Sequence, residues 1–96
     1  HRLSAKVVDV IKIDVQGHEL AVLQGGQDLI ARSSNLKVLF EFWPIAYEMA
    51  GEDPSTVLRF FEDRGFRLFE PSDWSRAHDW RYWLERGCAD ILAARV

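Results

Sequence analysis

The sequence predicts an α/β fold in which parallel strands are followed by a C-terminal antiparallel strand pair. Two apolar runs, 7–15 and 36–43, are rich in β-branched and aromatic residues, which is typical of strands buried on both faces of a parallel sheet. An apolar stripe at helical spacing separates the two runs, and a second helical pattern follows them. This alternation of strands and helices favours right-handed crossover connections between the parallel strands.

Glycine, proline and aspartate mark the ends of the two predicted helices. Gly25 and Gly26 should break or kink the first one. The second should begin at Asp53, a good N-cap residue, with Pro54 as its first helical residue, and end at Gly65. The apolar positions of the first helix are Leu20, Val22, Leu23, Leu29 and Ile30.

The C-terminal third of the chain predicts a strand, an irregular segment and a final strand. Residues 66–69 and 89–95 have the apolar, strand-like composition, and the second can return antiparallel to the first. Between them, 70–87 carries three tryptophans among charged residues without a clean period. We interpret it as an aromatic loop with at most one helical turn, which either covers the sheet or an oligomer contact, or forms a lid over a pocket.

Composition excludes several classes of protein. The 96 residues suffice for one domain, and their net charge of -3, without a basic block, disfavours nucleic acid and anionic membrane as partners. The single cysteine, Cys88, cannot form an intrachain disulfide, and no apolar run has membrane length. We therefore expect a cytoplasmic protein, without a metal site because the histidines and acids lack ligand spacing.

Three segments resemble a known family. They are DVIKIDVQGHE at 9–19, VLQGG at 22–26 and VLFEF at 38–42. In this order they are similar to the segments IKIDVEG-x-E, VL-x-G and a hydrophobic strand containing glutamate in the second half of FkbM-type methyltransferases. Gln16 stands where the family usually has glutamate. The resemblance implies a partial class I methyltransferase (Rossmann-like) sheet and S-adenosylmethionine as the cofactor.

The resemblance covers only one half of that fold. A cofactor of this kind needs a glycine-rich turn after a strand and an acidic residue for its ribose. Gly25–Gly26 lies within a helical pattern instead, and Gly17 is a single turn glycine. We expect 1–96 to be one domain that corresponds to the C-terminal half, without the N-terminal cofactor-binding half and so without a complete cofactor site.

Two carboxylates are the principal candidates for the site. Asp14 and Glu41 lie near the carboxyl ends of the two predicted parallel strands, where α/β sheets bind their ligands. Their burial at an apolar edge requires a cation, a ligand or a shared proton nearby. In the alternative interpretation, Asp14 accepts amide hydrogen bonds from the turn that follows it, and Glu41 pairs with a lysine or arginine.

The other candidates flank these carboxylates. His18 follows the turn and could act as a general base, although the sequence favours an exposed histidine at a helix start. With Asp14 we assign Gly17, Glu19 and Trp43 to substrate or cofactor binding, and Glu19 could instead serve the helix N-terminus. The candidate catalytic residues are thus Asp14, His18 and Glu41.

Two functions follow from these observations. The first is methyl transfer from S-adenosylmethionine to a small-molecule acceptor, through an oxygen of a sugar or secondary metabolite. The alternative is a non-catalytic α/β module that serves assembly or binding. In either case the first strand would be a long apolar edge, so we expect self-association or pairing with a missing N-terminal half.

Overall fold

The computed structural model describes residues 10–13, 23–33 and 35–95, which form a five-stranded mixed sheet with helices. The strands are β1 (Val10–Ile13), β2 (Lys37–Phe42), β3 (Arg67–Glu70), β4 (Asp73–His78) and β5 (Ala89–Ala94). The helices are α1 (Gln27–Arg32), α2 (Pro44–Met49), α3 (Ser55–Asp63) and α4 (Trp80–Arg86).

The sheet order is β1-β2-β5-β3-β4. β1 and β2 are parallel, as the sequence predicts. β5 is antiparallel to β3, which confirms the predicted C-terminal pair, but it is also antiparallel to β2 and lies between the two. The α/β class is therefore confirmed, while the parallel part of the described sheet is limited to β1 and β2.

The helix ends follow the local sequence signals. Residues 23–25 are helical, and a turn at Gly26, whose N–H donates to the Leu23 carbonyl at 3.1 Å, separates them from α1. Asp53 Oδ1 accepts a hydrogen bond from the N–H of Ser55 at 2.9 Å, and Ser55 is the first residue of α3, one residue later than predicted. Gly65 follows α3 with φ of 85°, a conformation that favours glycine. Leu20 and Val22 lie outside the described residues.

The prediction of a loop over 70–87 is wrong. This segment forms β4, which is the edge strand of the sheet, and the helix α4. Trp83 is fully buried and its Nε1 donates to the His78 carbonyl at 3.1 Å, whereas Trp74 is 54% exposed. The tryptophans thus divide between core and surface, and the buried indole of Trp83 has the hydrogen-bond partner that burial requires.

The core lies between one face of the sheet and the helices. Every described helix contributes a buried side chain to one apolar cluster, and Phe40 of β2 stacks on Phe61 of α3 with ring centroids 5.1 Å apart. On the opposite face of the sheet, a smaller cluster consists of Phe69, Leu92 and Ala94. Strand alternation places Leu39 and Glu41 of β2 on this second face.

Candidate functional site

The carboxyl ends of the parallel strands form one edge of the sheet. β1 ends at Ile13 and β2 at Phe42, and antiparallel β5 begins at the same edge. Register places Glu41 directly opposite Asp90, and Ile13 beside Phe40. The strand pairing therefore brings two carboxylates together where open α/β sheets bind ligands.

A cavity of about 210 Å³ opens at this edge. The described residues that line it are Lys12, Ile13, Leu39, Phe40, Glu41 and Asp90. Two carboxylates directly opposite one another repel, which favours a cationic group beside them. Lys12 lines the same cavity, so the site combines two negative charges with one positive charge above an apolar floor.

The structure describes two of the predicted site residues. Glu41 lines the cavity as predicted for a site residue, but the expectation that this carboxylate is buried is wrong, because its side chain is exposed on β2. Trp43 precedes α2 and is 38% exposed, but it does not line this cavity. The remaining predicted residues are outside the described part of the chain, and their assignments stay predictions: Asp14, Gly17, His18 and Glu19.

Two lining residues were missed by the sequence analysis. Asp90 could be placed at the site only through the pairing of β5 with β2, whereas the sequence indicated a pairing with residues 66–69 alone. Lys12 lies between Ile11 and Ile13 of β1. This alternation of apolar and charged residues indicates that one side of the strand is polar, so Lys12 could have been predicted from the sequence.

Within residues 10–13, 23–33 and 35–95, no group of histidine, cysteine and acidic side chains has the arrangement of a metal site. No helix in the same residues is long and apolar enough to cross a bilayer.

Comparison with protein families gives one match. The model of the methyltransferase FkbM domain matches residues 1–68, which include all three resembling segments and extend from β1 to the start of β3. The chain belongs to the FkbM methyltransferase family. Neither the curated proteins nor the solved structures compared with the chain give a match.

The residues matched by the family model include part of the candidate site. The FkbM domain indicates methyltransferase activity, and Glu41 lies within the matched residues. Asp90 lies beyond them, together with β4, α4 and β5. The cavity is thus built from FkbM-matched strands on one side and from the C-terminal strand of this chain on the other.

Proposed function

We propose that this FkbM domain forms part of an S-adenosylmethionine-dependent methyltransferase that methylates an oxygen of a sugar or secondary-metabolite hydroxyl. The observation that carries the proposal is the position of Glu41, which belongs to the family-matched strand and lines a cavity at the carboxyl edge of the sheet. Methyltransferases of this fold class bind cofactor and acceptor at that edge, in keeping with the general rule for α/β sheets.

The charges at the cavity fit one part of the cofactor. S-adenosylmethionine carries a sulfonium and an ammonium group, both of which carboxylates stabilise, and a carboxylate that a lysine can bind. Glu41, Asp90 and Lys12 supply this combination. The volume of about 210 Å³ is below the roughly 300–1,000 Å³ of typical small-molecule sites. We therefore assign to the described residues one wall of the site, and propose that the predicted further half supplies the rest.

The residues of the chain have separable roles in this proposal. When bound, the cofactor supplies a methyl group made electrophilic by the sulfonium. The acceptor hydroxyl would have to lose its proton as its oxygen takes up the methyl group, and in this proposal Glu41 would hold that hydroxyl or a cationic group beside it. His18 remains the predicted base. Leu39, which lies on the same face of β2 as Glu41, adds an apolar side chain to the lining of the cavity.

Calorimetric titration of S-adenosylmethionine into this chain tests the proposal, with S-adenosylhomocysteine as the comparison. We expect saturable but weak binding of both, because the chain supplies only one wall of the site, and a further loss of affinity of about tenfold or more in Glu41→Gln, because a charge-assisted contact is lost. Glu48→Gln is the matched control, since Glu48 is an exposed carboxylate on α2 that does not line the cavity.

Two results would count against the proposal. An absence of heat at millimolar ligand would mean that the chain does not form a cofactor site, and would favour a non-catalytic module. Equal affinities of the wild type and Glu41→Gln would remove Glu41 from the site.

A further inference from the structure

A second cavity lies on the second face of the sheet, at the end away from Glu41. It has a volume of about 330 Å³ and includes Lys37 of β2 in its lining. Lys37 and Glu41 are separated by four positions of one strand, or about 13 Å at the usual rise per residue. The row formed by Leu39 and Leu92, which are cross-strand partners, lies between the two cavities.

The strand register explains why a cavity forms here. Ala94 of β5 pairs with Lys37 on one side and with Arg67 of β3 on the other. The small alanine side chain leaves space between two long cationic side chains, which start from the same level of the sheet. Phe69, two residues beyond Arg67, adds an apolar surface to the cavity.

An irregularity in β4 supplies the remaining wall. Leu68 of β3 pairs with His78 and Glu70 pairs with Asp73, so that residues 74–77 of β4 lie opposite the single residue Phe69. These residues all line the cavity. Bulges of this kind turn side chains away from the regular ladder and towards one face.

Local hydrogen bonds hold the irregular segment in place. Trp74 Nε1 donates to the Pro71 carbonyl at 2.8 Å, although the indole is 54% exposed. Asp73 Oδ1 accepts from both the N–H and the hydroxyl of Ser75, at 3.0 and 2.6 Å, and these contacts lower the pKa of Asp73. The indole is thus fixed in direction while much of its ring surface remains accessible.

The cavity is strongly positive within an acidic chain. Lys37, Arg67 and Arg76 line it, and no carboxylate does so among the residues that the structure describes. In the same residues no ion pair joins any of the three to an acidic side chain, since the two that occur are Arg81–Asp79 and Arg86–Glu70. Unneutralised cations around an apolar surface favour an anionic ligand.

We propose that this second cavity binds an organic phosphate that carries a planar ring, the chemical class to which nucleoside monophosphates belong. A phosphate dianion matches the cluster of cations, and the planar guanidinium groups of Arg67 and Arg76 suit its oxygens. The exposed Trp74 indole offers a face on which a ring can stack. The volume is within the range of small-molecule sites, roughly 300–1,000 Å³.

Titration of uridine 5′-monophosphate into this chain tests the proposal, with tryptophan fluorescence and calorimetry as readouts. We expect saturable binding that is at least about tenfold tighter than that of uridine or of inorganic phosphate, because each lacks one of the two features. Binding should weaken as salt is raised. Uridine 5′-monophosphate lacks the adenosine group of the proposed cofactor. A failure to bind this nucleotide is therefore distinguishable from a failure to bind S-adenosylmethionine at the Glu41 site.

Variants locate the binding. Arg76→Gln and Arg67→Gln should each weaken the nucleotide affinity about five- to twentyfold and leave the affinity for S-adenosylhomocysteine unchanged. Trp74→Phe should abolish most of the fluorescence change, whereas Arg32→Gln, an exposed position on α1, should have no effect. Circular dichroism of each variant confirms that the chain is folded.

Either of two results would overturn the proposal. One is the absence of saturable binding at millimolar nucleotide. The other is an affinity that neither arginine substitution changes.

Discussion

Arg95, the residue after β5, connects the ends of two helices to the sheet. Its Nε donates to the Arg64 carbonyl at 3.1 Å, and a terminal nitrogen donates to the carbonyls of Ile30 and Ser33, both at 3.0 Å. Its guanidinium also lies 4.1 Å from the centre of the Phe66 ring. The last carbonyls of a helix lack intrahelical donors and carry partial negative charge, so one cation stabilises the carboxyl ends of both α1 and α3.

We expect Arg95→Met to lower the free energy of unfolding by about 2–4 kcal/mol, because three partly buried carbonyls lose a charged donor. Arg95→Lys should recover less than half of this loss, since an ammonium lacks the planar fork that reaches several carbonyls at once. Urea denaturation measures both changes. Arg32→Met, an exposed substitution on α1, is the control; a loss for Arg95→Met as small as that of the control would contradict the assignment.

At the scale of elements, local signals predicted most of the fold. The positions of β1 and β2 follow from the two apolar runs. The ends of α1 and α3 follow from Gly26, Asp53 and Gly65, because such signals depend on only a few neighbouring residues. Helix α4 carried signals of the same kind that were overlooked. Asp79 Oδ1 accepts from the Tyr82 N–H at 3.1 Å, and Gly87 has φ of 88°.

The core-facing side of α4 also follows a helical period. Trp80, Trp83 and Leu84 all pack in the main apolar cluster, at spacings of three and four residues. Tyr82 and the surrounding charged residues obscured that period. The position of β5 between β2 and β3 has no such local signal, because it depends on pairing between residues far apart in the chain, and Asp90 could not be assigned without it.

Two carboxylates meet at the start of α4. Glu62 accepts a hydrogen bond from the Trp80 N–H, but burial, followed by repulsion from Asp79, raises the pKa of Glu62. An acid with a raised pKa in the folded state favours folding while it is protonated, and this contribution is lost as the pH rises through its folded value. Ionised Glu62 therefore lowers stability at neutral pH.

We expect Glu62→Gln, which keeps an acceptor oxygen for Trp80, to raise the free energy of unfolding at pH 7 by less than about 1 kcal/mol. The gain should disappear at pH values below the ordinary pKa of a glutamate, 4.5, because Glu62 of the wild type is then protonated and as uncharged as the glutamine. Urea denaturation at several pH values measures the difference. In an Asp79→Asn background the gain should shrink but persist, because burial is the larger cause; a gain that is independent of pH would contradict this explanation.

At the scale of the whole molecule, the two edges of the described sheet differ in their capacity to pair. The edge at β4 is interrupted by the shift in register between Leu68 and Glu70, and its exposed residues include Arg76. The edge at β1 is regular, pairs only with β2 within the described sheet, and exposes 63% of Val10. Regular edges recruit further strands, whereas bulged edges resist them, and on this criterion β1 is the edge that can pair although it carries Lys12.

We therefore predict that this chain self-associates through β1 when no other chain segment pairs with it. Sedimentation velocity over a wide range of concentration should show a reversible increase in mass. Val10→Lys should shift this increase to higher concentration, because it removes the most exposed apolar side chain of β1 and adds a second lysine to Lys12 on this edge strand. Met49→Lys is the matched control, since Met49 is 83% exposed and belongs to α2 rather than to a strand of the sheet. A wild type that stays monomeric, or equal association of Val10→Lys and the wild type, would exclude β1 as the pairing edge.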